Sequence, residues 1–293
     1  MLGKDKMKLS IITINYNNAA GLKKTLESVA TQTCTDFEHI IVDGASTDGS
    51  VEVIREYENT LASCLLPLAS RLKWLSEPDT GIYNAMNKGV RFAKGEYTLM
   101  LNSGDFLVGE HVIEKVLPLL DGADIIQGNT IEDYVNQKVR NRGYGKSDID
   151  FFDVMKGHFL HQASFCRKCL FDKYGYFDES YRMVSDTKFF MICLGRGNAS
   201  FKYIDIDIAN YDVSGISAGL VGKWAECKIV ETKRMRSELY SDRLDSFFQE
   251  NDKKIRLYNQ LHGHKWIWYA TMVIAHIYNW FYRTNFAPLK EKI

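Results

Sequence analysis

The sequence predicts an α/β fold, with a mostly parallel central sheet and helices on both faces. Two observations predict it. Through about residue 101, short β-branched runs alternate with segments of helical periodicity, in the order β-α-β-α-β-α-β. Each of the four runs also ends in a cluster of small polar residues, at 15–18, 43–48, 77–81 and 102–105. Open parallel sheets bind ligands at the carboxyl ends of their strands. Four polar clusters along one such edge mark it as functional.

The elements follow in order. Residues 9–14 are β-branched and read as a buried strand, ending in the turn 15–18. Leu22, Leu26 and Val29 recur at helical spacing, so 19–31 reads as a helix. Residues 37–42 form a second strand. The segment 43–50 is dense in turn formers and caps, with Asp48 placed to cap a helix at 51–57. A third strand near 72–75 is followed by a helix at 82–92, and 97–101 is the fourth strand. The second half is more mixed. Strands are expected at 124–131, 137–144, 161–166 and 201–211, and helices at 148–155 and 185–194. Beyond residue 218 the chain reads as wholly helical.

Composition agrees with a globular chain. The 293 residues are 45% apolar and 25% charged, with only 4 prolines, which excludes wholesale disorder. The 37 basic and 37 acidic residues balance, which argues against a protein that coats nucleic acid. The balance conceals an asymmetry: 24 basic and 29 acidic residues up to position 222, then 13 basic and 8 acidic after it. Six cysteines are scattered, and Cys166 and Cys169 form a C-x-x-C with no second ligand pair at metal spacing. They read as reduced thiols of a cytosolic protein. The opening residues carry no signal-peptide pattern, because the run 9–14 is too short for its apolar core.

Several residues could carry chemistry. Asp105 closes the fourth strand, with Asn102 before it and Gly104 beside it. A carboxylate on such a loop suits Mg²⁺ or Mn²⁺ held against a diphosphate; helix capping is the competing role. Asp43 is placed to bond a base or ribose, and Tyr16 to lay its ring on a base. Asp79 and Lys88 flank the third loop, where Lys88 either faces a phosphate or points into solvent. Asp186 begins a helix, and the residues alone favour a macrodipole role over a general base. His161 and Gln162 open a strand, where a lone His is more often packed than catalytic.

Four segments together resemble family-2 glycosyltransferases of the GT-A fold, in the branch that builds bacterial surface polysaccharides. Residues 9–17 are similar to the opening strand of that family, and 41–49 to its Asp-Gly-x-Ser-x-Asp-Gly loop. Residues 76–89 are similar to the signature of the colanic-acid branch. Residues 101–105 stand where the family keeps an Asp-x-Asp metal motif. A weaker match runs from His161-Gln162 through Tyr174-Gly175 to Ser185-Asp186. The resemblance covers about residues 8–217.

The resemblance implies a GT-A domain at 1–217, with a nucleotide-sugar half at 8–105, an acceptor half at 106–217 and a helical extension at 218–293. It implies an inverting transfer from a nucleotide-diphosphate sugar, metal-dependent, with Mn²⁺ or Mg²⁺ as cofactor. Tyr16 and Asp43 would hold the nucleoside. Asp79, Asn84 and Lys88 would line the donor pocket, and Asp105 would bind the ion. Asp186 falls where the family keeps its general base, reversing the reading from the residues alone. His161 and Gln162 would lie near the acceptor or donor sugar. Two departures stand out. Asn102 replaces the first carboxylate of the metal motif, which lowers metal affinity or frees Asn102 for the ribose. Ser185 replaces a Glu before the base.

The run 266–282 is apolar almost all round, with Trp and Tyr at both ends and basic flanks. It is short for a membrane-spanning helix, and His276 and Asn279 interrupt it. Two readings stay open: a helix lying on an anionic membrane face, or a helix closing over the domain or a homodimer. The first suits a polyprenyl-linked glycan acceptor and a site at the inner face of the cytoplasmic membrane. Two other classes compete for the whole chain. One is an inactive sugar-nucleotide-binding scaffold, suggested by the single carboxylate at 102–105. The other is a nucleotidyltransferase, whose Gly-rich basic first loop is absent from 15–21. Neither the sugar nor the base is legible in the sequence.

Overall fold

The computed structural model describes residues 7–134, 137–211, 222–241 and 246. The chain divides into two compact units, Met1–Met235 and Arg236–Ile293. The first unit contains the sheet.

Strands β1 (Leu9–Asn15), β2 (Glu38–Asp43), β3 (Leu72–Ser76) and β4 (Tyr97–Met100) pair in parallel, in the order β3-β2-β1-β4. Every residue of β1, β2 and β4 is buried. That explains their near-continuous apolar sequences, because strands of a parallel sheet are covered on both faces. Side-chain parity shows the two faces directly. Leu9 and Ile11 join a core with Leu22, Leu26 and Val29 of α1 (Ala19–Ala30) and Ile54 and Leu61 of α2 (Ser50–Ser63). Ile12, of opposite parity, meets α3 (Ile82–Phe92) at Gly89, where an added Cβ would collide with the Ile12 side chain. Helices therefore cover both sides of β1, and the expected α/β class is the one observed.

The second half extends the same sheet. The strands are β5 (Phe106–Leu107), β6 (Ile125–Tyr134), β7 (Gln137–Asn141), β8 (Ser164–Arg167) and β9 (Phe201–Tyr211). The sheet runs β3-β2-β1-β4-β8-β6-β9-β5, with β7 on β6. β8 is antiparallel to both β4 and β6, whereas β6 and β9 run parallel. The reversal at β8 matters for the site. It brings the amino end of β8 to the same edge as the carboxyl ends of β1 to β4.

Some expectations shift. Residues 161–163 form a tight helical turn, not the start of a strand, and β8 begins at Ser164. The expected helix at 148–155 is α5 (Phe151–Lys156). It starts late because Asp150 caps it, accepting from the Asp153 amide, while Asp153 accepts from the Asp150 amide. The expected strand 137–144 stops at Asn141. The expected helix at 185–194 is α7 (Ser185–Met191), followed by a wider π turn at Ile192–Arg196. Two short helices, α4 (Val112–Val116) and α6 (Cys169–Tyr174), and the two-residue β5 carry too few residues for a periodic signal.

Helix α8 (Gly222–Leu239) agrees with the helical reading after residue 218. The run 266–282 lies outside the described residues. Among the described residues, no helix is long and apolar enough to cross a membrane. All six cysteines are free.

Candidate active site

The site is assembled from the loops that leave β1 to β4. At its base lies Asp43, fully buried at the end of β2. Its Oδ1 accepts from Asn15 Nδ2 at 2.7 Å and Ser46 Oγ at 2.6 Å. Its Oδ2 accepts from the Ser46 amide at 2.9 Å and Ser76 Oγ at 2.7 Å. Burial pushes this carboxyl up, but the donors from Ser46, Ser76 and Asn15 outweigh it and hold it below the usual value. Asp43 thus ties three loops together. The sequence reading gave this carboxylate to the nucleoside; the structure shows the four protein donors that fix it at the base of the site.

Above Asp43 the backbone is bare. A Cβ on Gly44 would meet the Tyr16 ring on one side and Asp79 Oδ2 on the other. Tyr16 is 67% exposed, which leaves its ring accessible from solvent. Asn17 and Ala45 both adopt left-handed backbone, with φ of 48° and 59°. Such strain in non-glycine residues gathers at functional loops. Burial raises the Asp79 carboxyl above its usual value, against the Gly81 amide and the Lys88 charge. Tyr16, Gly44 and Asp79 therefore pack closely together, an aromatic ring and a carboxylate beside a bare backbone.

Two other residues of the expected donor pocket face elsewhere. Lys88 Nζ bonds the Pro78 carbonyl at 2.9 Å and Glu77 Oε1 at 2.8 Å. It braces the third loop against α3 instead of presenting an open ammonium. Asn84 Nδ2 donates to Glu179 Oε2 at 2.9 Å. Asn87, on the same helix, is almost fully buried and donates to Glu179 Oε1 and to the Phe177 carbonyl, while its own oxygen accepts from the Phe177 amide. Asn84 and Asn87 clasp the segment 177–179. Neither Asn87 nor Glu179 stood out in the sequence.

The fourth loop, 102–105, is a tight turn closed by the Asp105 amide on the Asn102 carbonyl at 3.0 Å. Gly104 takes φ of 104°, which a side chain would resist. Thr25 of α1 pins the turn: its hydroxyl donates to the Asp105 carbonyl at 2.7 Å and accepts from the Gly104 amide at 3.0 Å. Asp105 itself is 95% buried, with 5% exposed. The Asn102 side chain lies 3.3 Å from His161 Nε2, and its Oδ1 is buried without a hydrogen-bond partner.

His161 links this loop to Asp186. Its Nδ1 lies 2.9 Å from Asp186 Oδ2. An ionised carboxylate only accepts, so Nδ1–H is the donor. The second oxygen, Oδ1, accepts from the Tyr83 hydroxyl at 3.0 Å. Burial pushes Asp186 up, but the hydrogen bond and charge of His161, helped by the Thr187 amide and Tyr83, bring it below the usual value. Burial pulls His161 down, and the Asp186 hydrogen bond and the charges of Asp186 and Asp105 lift it above its usual value. Burial and the Asp186 charge raise Tyr83 well above the ordinary tyrosine value, so it remains a proton donor. Gln162 is buried in the same turn as His161.

The structure thus brings Asn102, Asp105, His161 and Asp186 into one cluster, and Tyr16 with Asp79 into another on the same edge. Tyr83 and Thr25 belong to these constellations, and the sequence reading passed over both. Tyr83 was hidden inside a helical apolar pattern. Thr25 is a buried polar residue on the apolar face of α1, which was a signal available to be read.

Among the described residues, no group of three or more His, Cys, Asp or Glu side chains gathers as a metal cage. The oxygen donors near Asp105 nonetheless suit a hard cation. One buried carboxylate and one unsatisfied amide oxygen share the loop, and a diphosphate and water would supply the remaining ligands.

Comparison with known proteins shows the family and the fold. The sequence pattern described as Glycosyl transferase family 2 matches residues 10–177. A PGL/p-HBAD biosynthesis glycosyltransferase of Mycobacterium tuberculosis is 32% identical over 219 residues, covering 73% of this chain and 80% of that protein. Among solved structures, S. aureus TarS 1–349 in complex with UDP-GlcNAc superposes with a TM-score of 0.59 at 21% identity, over 70% of this chain and 58% of that one. The mannosyltransferase PcManGT of Pyrobaculum calidifontis, solved with GDP-Man and Mn²⁺, gives a TM-score of 0.53 at 19% identity, over 70% of this chain and 57% of that one. This chain therefore spans less than two thirds of those two solved chains.

Proposed function

Because the chain belongs to glycosyltransferase family 2, we propose that it transfers a sugar from a nucleoside-diphosphate donor to a hydroxyl of a glycan acceptor, with inversion at C1. One observation carries the reading. Asp186 is held ionised, by His161 and Tyr83, on the sheet edge where the Asn102–Asp105 loop lies.

The roles follow from position. Tyr16, Gly44 and Asp79 together receive the nucleoside, with the ring of Tyr16 against the base. Asp43 holds their loops in shape through its four hydrogen bonds. Lys88 acts on the donor indirectly, by bracing the third loop, and Asn84 acts on the side of Asp186, by bracing the 177–179 segment. Asp105 would hold a Mn²⁺ or Mg²⁺ ion, with Asn102 contributing an oxygen to the same loop or to the ribose. Such an ion offsets negative charge on a diphosphate.

Asp186 is the general base. It takes the proton of the acceptor hydroxyl as that oxygen forms its bond to C1. The bond from C1 to the diphosphate oxygen breaks on the opposite face, and the nucleoside diphosphate leaves with the electron pair. His161 keeps Asp186 charged and oriented, and Gln162 lies beside it in the acceptor region. A polyprenyl-linked glycan suits the basic, aromatic tail, which would rest on the inner face of the cytoplasmic membrane.

The test is release of nucleoside diphosphate from a panel of UDP-, GDP- and dTDP-sugars, with and without Mn²⁺. Turnover that disappears in Asp186→Asn supports the reading. Retention of turnover in that variant overturns the assignment of the base. Binding of a donor with no turnover toward any glycan or lipid-linked acceptor overturns the enzyme reading. Pyrophosphate as product would indicate a nucleotidyltransferase. For the tail, truncation after residue 262 should move the protein from the membrane to the soluble fraction. An unchanged partition overturns the membrane reading.

A further inference from the structure

Helix α3 touches two parts of the site at once. Its first residues follow directly on the loop that carries Asp79, and Gly81 ends that loop with φ of 141°. One turn along, its side chains grip the segment that leads to Asp186. Asn84 and Asn87 hold both oxygens of Glu179, and Asn87 exchanges two hydrogen bonds with the Phe177 backbone. Tyr83 reaches furthest and bonds the Asp186 carboxylate itself at 3.0 Å.

The Tyr83 ring has little freedom. The residue is 96% buried, with 4% exposed, and its ring packs on Phe177 at a centroid distance of 5.8 Å. A buried ring packed on Phe177 presents its hydroxyl within a narrow range. The Asp186 carboxylate, on the first turn of a short helix, has only the Thr187 amide as a local restraint, and its χ2 rotation is soft. His161 fixes one oxygen and Tyr83 fixes the other. With both held and the Thr187 amide as a third donor, the carboxylate plane has one orientation, and one of its four lone pairs is left for an incoming hydroxyl.

We propose that Tyr83 is a positioning residue for glycosyl transfer: its hydroxyl, fixed on the helix that continues the Asp79 loop, sets the carboxylate of Asp186 in register with the donor. This rests on Asp186 being the general base. α3 then acts as a ruler between donor loop and base. A misplacement of a base by even an ångström is costly, because transfer depends on a near-attack geometry.

The experiment is steady-state turnover of the full chain, using whichever sugar nucleotide of the UDP, GDP and dTDP panel it consumes. Three proteins are compared: wild type, Tyr83→Phe and Asp186→Asn. Tyr83→Phe keeps the buried ring and removes only the hydroxyl, so the fold should survive, with a thermal midpoint within a few degrees of wild type. The expected result is a kcat about tenfold lower, with the donor KM within about twofold. The acid limb of kcat should also move to higher pH, since Asp186 loses a donor to its charged form and keeps only His161, itself influenced by Asp105, and the Thr187 amide. A merely structural tyrosine would lower stability and leave that limb in place.

An unchanged kcat in Tyr83→Phe, with Asp186→Asn inactive, overturns the inference and leaves the assigned function standing. Full activity in Asp186→Asn overturns both. Should Tyr83→Phe prove unstable, Glu179→Gln provides the second measurement. It slackens the Asn84 and Asn87 clasp without touching Asp186, and the same fall in kcat at constant donor KM is expected. Loss of donor affinity there, with kcat intact, overturns the proposal.

Discussion

Nδ1 of His161 lies 2.9 Å from Oδ2 of Asp186, although 25 residues and two secondary-structure elements separate them. This contact exists because β8 runs antiparallel to β4. The reversal returns His161 to the edge reached by the β4 loop, and the segment after α6 brings Asp186 to the same place. The pair is nearly enclosed, with side chains 12% and 15% exposed. Each partner shifts the other toward its charged form, against the cost of burial.

Asp186→Asn tests the base most directly. The amide keeps the size and can still meet Tyr83, but cannot take a proton. kcat is expected to fall by about 10² to 10⁴. Donor affinity, measured by calorimetry, should stay within a few fold, because Asp186 lies outside the Tyr16–Asp79 cluster.

The pH profile gives a second test. Asp186 is depressed below its usual 3.8, so as the proposed base it is ionised at neutral pH, and activity should be lost only as pH falls through its lower folded value. In His161→Gln, the charge that offsets burial disappears and at most a weaker, neutral donor replaces the imidazole. Burial then dominates, the Asp186 value rises, and the acid limb of kcat moves upward. An acid limb that stays where it is in His161→Gln would show that the imidazole does not tune the base.

Cation binding can be read without turnover. Mn²⁺ with a nucleoside diphosphate should raise the thermal midpoint of the wild type beyond the effect of either alone, by mass action on the folded state. Asp105→Asn should lose that extra rise and keep the rise due to the nucleotide alone. An equal response in both proteins removes Asp105 from the cation site.

The four hydrogen bonds to Asp43 should be visible in stability. Asp43→Ala leaves Asn15, Ser46 and Ser76 donors buried or half-buried without their acceptor, and is expected to cost about 2–4 kcal/mol in urea denaturation. Because the folded carboxyl is depressed, its contribution is present above the ordinary 3.8 and lost as pH falls through the folded value. The gap between wild type and variant should therefore narrow in acid.

Gly89→Ala tests the seam between α3 and β1. The new methyl meets the Ile12 side chain and should cost about 1–3 kcal/mol by overpacking. Ile12→Ala in the same chain removes the colliding Cγ2 methyl and should recover part of that loss, giving a favourable coupling in a double-mutant cycle.

The sequence by itself determined the layered α/β class and the polar loops gathered along one sheet edge. Buried parallel strands must be apolar throughout, and loops that meet a polar ligand must not be, so both leave local marks. Motif similarity added Asp105, His161 and Asp186 as members of one site. Tertiary structure decided what those residues do to one another. Asp186 reads locally as an ordinary charge at a helix start; only Tyr83, 103 residues away, and His161 turn it inward. Lys88 and Asn84 read as donor-pocket residues, yet their partners, Glu77 and Pro78 for one and Glu179 for the other, draw them into bracing roles. Local composition records burial and backbone geometry because these act residue by residue. Which oxygen meets which donor depends on strand order and helix placement, and no local pattern encodes it.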